Sequence, residues 1–220
     1  MTVSFPDMVD QPATTTQRSE VNRVYAQLRE WIITSELTAG VFLSETDLAE
    51  RCGTSRTPVR EALSRLVQDG WVSSIHRKGF QVRPITLKDI SELYGYRRLF
   101  EIYACERAAT KTTPEQMAQL EQIITIEESA HETADRLLCN EQFHMAIALH
   151  TDNQRMIDQM RQIMAYLRRL GLITMIPDEV THRQILDAIK AGDGTLARNL
   201  MAEHMDFALE GIVRSVLSTP

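Results

Sequence analysis

Three arginines in one short segment have the spacing of a surface that binds phosphate or DNA bases. The segment TSRTPVREALSRLVQDG (54–70) contains Arg56, Arg60 and Arg65. Apolar residues recur in it at steps of three and four, as on one face of an α-helix: Val59, Ala62, Leu63, Leu66 and Val67. Arg56 and Arg60 lie on the opposite face, where they add to the positive end of the helix dipole unless an anion arrives. A solvated surface face has the same pattern, so the segment alone leaves both interpretations open.

Three of the six histidines have a spacing that would suit a metal ion. Asn140 and His144 lie four residues apart on one predicted helix, while His182 and His204 fall on two others. Three neutral imidazoles from three helices can converge on one cation, and imidazole suits Zn, Ni, Mn or Fe. Isolated helical histidines are more often surface or hydrogen-bonded groups, so spacing alone does not decide. Two histidines outside the pattern are predicted to lie at the surface: His131 and His150.

Arg97 shares the apolar face of a predicted helix, and a buried arginine must be paired. Glu101, one helical turn further on, is one predicted partner. The alternative is the carboxylate of an effector molecule, which a guanidinium can bind through two parallel hydrogen bonds. Arg98 is predicted to face solvent.

The elements that position the arginines form a helix-rich N-terminal part. VNRVYAQLREWIITS (21–35) is amphipathic, and SETDLAERCG (44–53) is a second, short helix that Ser44 caps. The arginine helix follows after a tight turn, with Ser55 predicted to cap its start and Gly70 to end it. WVSSI (71–75) and FQVRPI (80–85) are β-prone runs around the basic turn HRKG. This order predicts a winged helix-turn-helix, whose third helix enters the major groove of DNA.

The histidines and Arg97 belong to a part with no strand alternation. A helix capped by Thr86 and one opened by Thr113 and Pro114 are followed by four more, at 133–150, 153–173, 178–191 and 195–217. Six amphipathic helices predict an antiparallel bundle. The expected fold is therefore mainly α: a disordered tail (1–18), a winged helix-turn-helix domain of three helices and a two-stranded wing (19–85), and an all-α helical domain (86–220).

The stretch from YAQLREWIITS through SRTPVREAL and DGW to FQVRPI resembles the DNA-binding domain of the GntR family of bacterial transcription regulators. The resemblance implies that Arg56 and Arg60 contact bases or phosphates and that Ser55 and Thr57 bind the DNA backbone. It places His76, Arg77, Lys78 and Gly79 in a wing near the minor groove. Thr46 is also implied in the interface, at a position where family members often have a basic residue.

YRRLFE…ERAA, FHMAIALH, HRQILDAIKAGD and MAEH, in this order, resemble the FCD-type effector-binding domain of the fatty-acid-regulator-like (FadR-like) branch. Many members of this branch bind a divalent metal through an Asp and a His four apart and two later His. The resemblance therefore implies a metal at Asn140, His144, His182 and His204. An amide replaces the carboxylate at Asn140, so a weaker site, or one completed by water or an effector carboxylate, is expected. Zinc suits three protein ligands with one exchangeable position, and Ni or Mn are possible.

The charge distribution supports a DNA-binding N-terminal part in spite of a net charge of −6. Residues 51–83 hold seven basic and two acidic residues, a local excess that phosphate binding uses. No apolar run reaches the length of a membrane span, and the start lacks the pattern of a secretory signal. The three cysteines are far apart and have no CxxC spacing, as expected for thiols in a reducing cytoplasm.

The sequence thus predicts a cytoplasmic, homodimeric transcription regulator that is not an enzyme, with residues 86–220 as its effector-binding and dimerisation domain. Its partners are operator DNA and a small organic acid effector, which changes the affinity for the operator. Whether it represses or activates stays open. The alternative is a metal-dependent hydrolase or lyase with an accessory winged domain, since a histidine site with an open position permits such chemistry. No HExxH motif and no evident general base accompany the histidines.

Overall fold

The computed structural model describes residues 16–170 and 180–218. The chain divides into two compact units between Pro84 and Ile85. Most of the predicted tail lies outside the described residues. Its last three residues, 16–18, instead form the start of the first helix.

Within the described residues, the first unit contains three helices and three short strands. In chain order they are α1 (Thr16–Ile33), β1 (Phe42–Leu43), α2 (Glu45–Cys52), α3 (Arg56–Gln68), β2 (Val72–Ile75) and β3 (Gly79–Val82). The apolar faces of α1 and α3 pack against each other, and Leu28, Ile32, Leu63 and Leu66 have no exposed surface. This packing turns the arginine face of α3 outward.

The predicted two-stranded wing is confirmed as the β2–β3 hairpin, and β1 adds a third antiparallel strand in the order β1-β3-β2. Phe42 pairs with Gln81 and Leu43 with Phe80, while Val72 pairs with Val82 across the hairpin. The additional strand has only two residues, which is too short to produce an alternating sequence pattern.

Capping interactions define the start of α2 and the end of α3. The Ser44 hydroxyl accepts a hydrogen bond from the Asp47 amide at 3.3 Å, as the sequence predicts for α2. Gly70 takes a positive φ of 78° after α3, and the Gly70 and Trp71 amides donate to the Val67 and Leu66 carbonyls. This is the Schellman arrangement, which a glycine accommodates without steric cost.

The second unit contains six helices within the described residues, in agreement with the sequence. They are α4 (Leu87–Lys111), α5 (Pro114–Ser129), α6 (Thr133–Leu149), α7 (Gln154–Leu170), α8 (His182–Lys190) and α9 (Gly194–Ser218). Thr86 and Thr113 start α4 and α5 with reciprocal side-chain and backbone hydrogen bonds to Asp89 and Gln116. None of the helices described is long and apolar enough to cross a membrane.

The start of α8 differs from the prediction of a helix from residue 178. Thr181 is the N-cap, because its hydroxyl accepts from the Gln184 amide and the Gln184 side chain accepts from the Thr181 amide. His182 is therefore the first residue of the helix. The residues before Val180 in the predicted helix lie outside the described residues.

Candidate metal centre and nucleic-acid interface

The outer face of α3 presents polar and basic groups at its N-terminal end. Arg56, Thr57 and Arg60 are exposed, whereas Pro58 and Val59 are buried on the inner face. The structure therefore places the two arginines on one surface, as their four-residue spacing requires.

Ser55 occupies the N-cap position of α3, but its side chain makes no capping hydrogen bond. The predicted hydrogen bond from the hydroxyl to the first turn is therefore wrong, although the position is right. The hydroxyl stays exposed beside the N-terminus of α3, where backbone amides have no partner within the helix. This is a geometry that binds anions.

Glu45, in the first turn of α2, lies between the two arginines. Arg60 donates to its carboxylate from Nε at 3.0 Å and from Nη2 at 2.7 Å, and Arg56 Nη2 lies 3.5 Å away. Hydrogen bonds from Arg60 lower the pKa of Glu45 although partial burial opposes them. The sequence interpretation missed Glu45, because it considered only the capping role of Ser44 and Asp47 in this turn.

The predicted wing residues lie in the turn between β2 and β3 and at the first residue of β3. His76, Arg77, Lys78 and Gly79 are all exposed. Arg77 and Gly79 have positive φ angles of 60° and 89°, which turn the chain sharply at the tip. Thr46 is likewise exposed, on the first turn of α2.

Three histidines from three helices of the second unit meet in its interior. His144 comes from α6, His182 from the start of α8 and His204 from α9, and all three are buried. His204 Nε2 lies 3.2 Å from His182 Nε2 and 3.3 Å from His144 Nε2. One possible ligand atom from each lies within 4.8 Å of the others. The structure thus brings together the three histidines that the sequence singled out.

The second ring nitrogen of each histidine faces an oxygen acceptor. His144 Nδ1 contacts the Glu101 carboxylate, and His182 Nδ1 lies 2.8 Å from Oε1 and 2.9 Å from Oε2 of Glu127. His204 Nδ1 donates to the Val180 carbonyl at 3.1 Å. These partners favour the proton on Nδ1 and leave the Nε2 lone pairs facing one another. Carboxylate and carbonyl partners orient metal-binding histidines in this way.

Burial keeps two of these imidazoles neutral. It lowers the pKa of His144 to about 4 against the opposing effect of Glu101. Burial, together with the neighbouring histidines, lowers the pKa of His204 well below its usual value. Neutral imidazole is the form that binds metals. Converging lone pairs repel one another, and a cation between them removes the repulsion.

Arg97 and Glu101 form a buried ion pair behind His144. Arg97 Nε donates to Glu101 Oε1 at 2.7 Å, and both side chains are almost fully buried. Burial raises the pKa of Glu101, but the charge of Arg97 and the hydrogen bonds from His144 and Arg97 outweigh it and lower that pKa to about 2. Arg97 Nη2 is buried without a hydrogen-bond partner among the described residues. Arg98 is exposed, as predicted, and pairs with Asp206.

Asn140 is buried on α6, one turn before His144. The ring of Phe143 stacks on His182 with 4.4 Å between the centroids, which closes one side of the cluster with an apolar surface. An amide oxygen can bind a cation but brings no charge to it. An amide at this position, one turn before His144, thus adds no charge to the three imidazoles.

Sequence profiles assign both units to known domains. The profile of the bacterial regulatory proteins of the gntR family matches residues 20–82. The profile of the FCD domain matches residues 92–207, more than half of the chain. The chain belongs to the GntR family. A GntR domain followed by an FCD domain is the FadR-like architecture, as the sequence motifs predict.

Transcription regulators similar to this chain match it over most of their length. An HTH-type transcriptional regulator in an unstable DNA locus of Streptomyces ambofaciens is 28% identical over 215 residues, which cover 94% of this chain and 91% of the relative. The HTH-type transcriptional repressor RspR of Escherichia coli is 27% identical over 199 residues, 86% of this chain and 87% of its own. The structure of E. coli McbR/YncC has the same fold, with a TM-score of 0.71 and 23% identity over 90% of this chain and 98% of that chain.

These matches identify a transcription regulator and not an enzyme, and they give no support to the alternative of a hydrolase or lyase.

Two features of the FCD domain were not foreseen from its sequence. Glu127 lies 55 residues before the histidine that it orients, and no local pattern connects them. His150 is buried, so its predicted surface position is wrong. Its Nε2 has no hydrogen-bond partner among the described residues. His131 is exposed, as predicted.

Proposed function

We propose that this GntR regulator is a cytoplasmic homodimer that senses a small organic acid through a divalent metal in its FCD domain. The observation that supports the metal is the convergence of three Nε2 atoms, each on a ring whose Nδ1 faces an oxygen acceptor. The donor set fits Zn, and Ni and Mn accept the same ligands. The three cysteines are free, consistent with a reducing compartment.

The ligands in this proposal are His144, His182 and His204, with the Asn140 amide oxygen as a further donor. The carboxylates of Glu101 and Glu127 accept from Nδ1 and thereby increase the basicity of Nε2 on the opposite side of each ring. Since no charged side chain is among the proposed ligands, the positive charge of the ion is not neutralised by them.

The proposed effector is an organic acid, because an anion supplies the charge that these ligands lack. A divalent ion held by these residues would act as a Lewis acid and would attract a carboxylate oxygen of the effector. Arg97 is proposed as the second anchor for the effector. Its Nε is engaged by Glu101, but the buried Nη2 has no partner among the described residues and can donate to an oxygen of the acid.

The proposed DNA-binding domain (19–85) contacts the operator with the N-terminal part of α3 and with the wing. Arg56 and Arg60 reach base edges or phosphates, Ser55 and Thr57 bind phosphates, and the turn from His76 through Arg77 and Lys78 to Gly79 reaches the minor groove. Thr46 is proposed at the edge of this interface. A single winged domain makes few base contacts, so two copies on a pseudo-palindromic operator are proposed.

Effector binding in the proposed effector domain (86–220) changes operator affinity if the acid binds one arrangement of the dimer more tightly than another. Thermodynamic linkage makes the coupling between the two binding events reciprocal. Operator DNA must then change the affinity of the protein for the acid by the same factor. Fluorescence anisotropy of operator DNA, with and without the acid, measures this coupling.

The test of the metal uses protein purified without a polyhistidine tag. Metal content is measured by mass spectrometry for wild type, His182→Ala and His150→Ala, where His150 is a buried histidine outside the cluster. Wild type and His150→Ala are expected to retain metal and to melt at a higher temperature than in chelator, because the ion binds only the folded state. Equal, low metal content in wild type and His182→Ala would refute the metal site.

A further inference from the structure

An apolar strip runs along the outside of α4. Tyr96, Leu99 and Tyr103 recur at three- and four-residue steps and therefore share one side of the helix. They are 56%, 70% and 43% exposed, while other residues of α4 are buried in the core of the bundle. The exposed side of a bundle helix is normally polar. Contiguous exposed apolar side chains mark a surface that another molecule covers.

Gly95 lies on the same side of α4, one turn before Leu99. Apart from the helix's own backbone, no heavy atom lies within 4 Å of the position that a Cβ would take there. Packing within the described chain therefore does not require a glycine, which weakens a helix interior through its backbone freedom. On an exposed face, the missing side chain allows a second helix to come close.

We propose that Gly95, Tyr96, Leu99 and Tyr103, here called the α4 strip, form the interface between two copies of this chain. The inference rests on the homodimer of the proposed function and locates its contact surface. A two-fold axis near Leu99 brings the two α4 helices together antiparallel and uses the same strip on both copies. Leu99 then meets its own counterpart. Residues equally far before and after Leu99 lie at the same level, which places Tyr103 of one copy beside Gly95 of the other.

The charges at the ends of the α4 strip complement each other in this arrangement. Glu92 precedes Leu99 by seven residues and Arg107 follows it by eight, so the two lie at nearly the same level in an antiparallel pair. Each residue turns the helix by about 100°, which places both on the side of Leu99 that carries the two tyrosines. A patch whose first half complements its second half is the requirement for pairing with a copy of itself.

Among the described residues of one copy, Glu92 and Arg107 have only weak partners. Glu92 is exposed and lies 3.7 Å from Lys88. The Arg107 guanidinium lies 5.7 Å from the ring centroid of Tyr103, and its Nε has no hydrogen-bond partner among the described residues. Glu92 of the second copy would give Arg107 a carboxylate at the rim of the tyrosine cluster. Tyr and Arg are also the residue types that contribute most to interfaces.

The test measures the mass of the full chain by sedimentation equilibrium over a range of concentrations. Leu99→Glu is expected to raise the dissociation constant of the dimer at least about 100-fold, since it buries two carboxylates at the two-fold axis. Leu138→Glu is the matched control, because Leu138 on α6 is 47% exposed and receives the same change. It is expected to leave the dimer intact. Circular dichroism melts verify that both variants are folded.

A charge exchange tests the register of the α4 strip. Glu92→Arg and Arg107→Glu alone are each expected to weaken the dimer, and the double variant is expected to regain affinity because opposite charges face each other again. If the Leu99→Glu variant is fully dimeric, or if the double variant dimerises more weakly than both single variants, the α4 strip is not the interface. The proposal of a homodimer would still stand. If the wild-type chain is monomeric both without DNA and when bound to its operator, the homodimer of the proposed function is refuted as well.

Discussion

Arg60 on α3 and Glu45 on α2 form a two-pronged ion pair, with Nε at 3.0 Å and Nη2 at 2.7 Å from Glu45 Oε2. The glutamate side chain is only 18% exposed, whereas the arginine side chain is 60% exposed. The more buried Glu45 carboxylate therefore holds the exposed Arg60 guanidinium in place on the outer face of α3. The pair connects the two helices of the helix-turn-helix and sets the direction of the guanidinium that is proposed to meet DNA.

Arg60→Ala is expected to weaken specific operator binding by about 1–3 kcal/mol and to relax the preference at one base pair, if Arg60 contacts a guanine. The reason is its position one turn into α3, opposite the buried face. Fluorescence anisotropy with cognate and scrambled duplexes measures both effects. Unchanged binding to both duplexes would mean that Arg60 does not reach the bases.

Glu45→Gln is expected to lower the ratio of specific to non-specific affinity by roughly tenfold, about 1.4 kcal/mol. The amide holds the Arg60 fork less firmly, and the loss of a negative charge strengthens binding to any phosphate backbone. Glu50→Gln is the control, because it removes the same charge from an exposed position of α2. If both variants change the ratio equally, the effect is one of net charge and Glu45 does not position Arg60.

Lys78→Ala, at the tip of the wing, is expected to weaken binding to all sequences alike. Loss of one phosphate contact lowers the slope of log affinity against log salt by about one. Titrations at several salt concentrations give this slope, and Lys88→Ala on α4 serves as the control at an exposed lysine of the other unit. A variant that loses affinity for the operator alone would assign base recognition to Lys78.

The sequence predicts the arginine face of α3 because a helix has a fixed period, so one buried face determines the other. Glu45 has no such relation to Arg60, which follows it by 15 residues across a turn. Their contact depends on the angle between α2 and α3, which tertiary packing determines. For the same reason β1 was missed: its two residues become a strand only through pairing with β3.

The histidine cluster shows the same division between local and tertiary information. The chain order of the helices and the position of each histidine are readable from the sequence. The atoms that orient the rings are not, since Glu101 lies 43 residues from His144 and Val180 lies 24 residues from His204. Arg97 illustrates the intermediate case. Its pairing with Glu101, four residues on, follows from the sequence. That its Nη2 has no hydrogen-bond partner among the described residues follows only from the three-dimensional structure.

Asn140→Asp is expected to tighten metal binding about ten- to a hundredfold, a range typical of changes around a metal site. Asn140 lies on α6 one turn before His144, and a carboxylate there would attract a divalent ion that the three neutral imidazoles and the amide leave fully charged. Competition with a chelating indicator gives the affinity. The increase in melting temperature on addition of metal must grow in parallel, because tighter binding to the folded state stabilises it further.

Gln142→Glu is the matched control for Asn140→Asp, because it adds the same charge to α6 about 200° around the helix. It is expected to leave metal affinity within about twofold of wild type, since a half-buried charge on the other side of α6 points away from the ion and is partly screened. If both variants tighten binding alike, the gain is a general field effect and Asn140 is not a ligand. If neither does, while His182→Ala abolishes binding, three histidines alone hold the ion and the Asn140 amide only packs beside them.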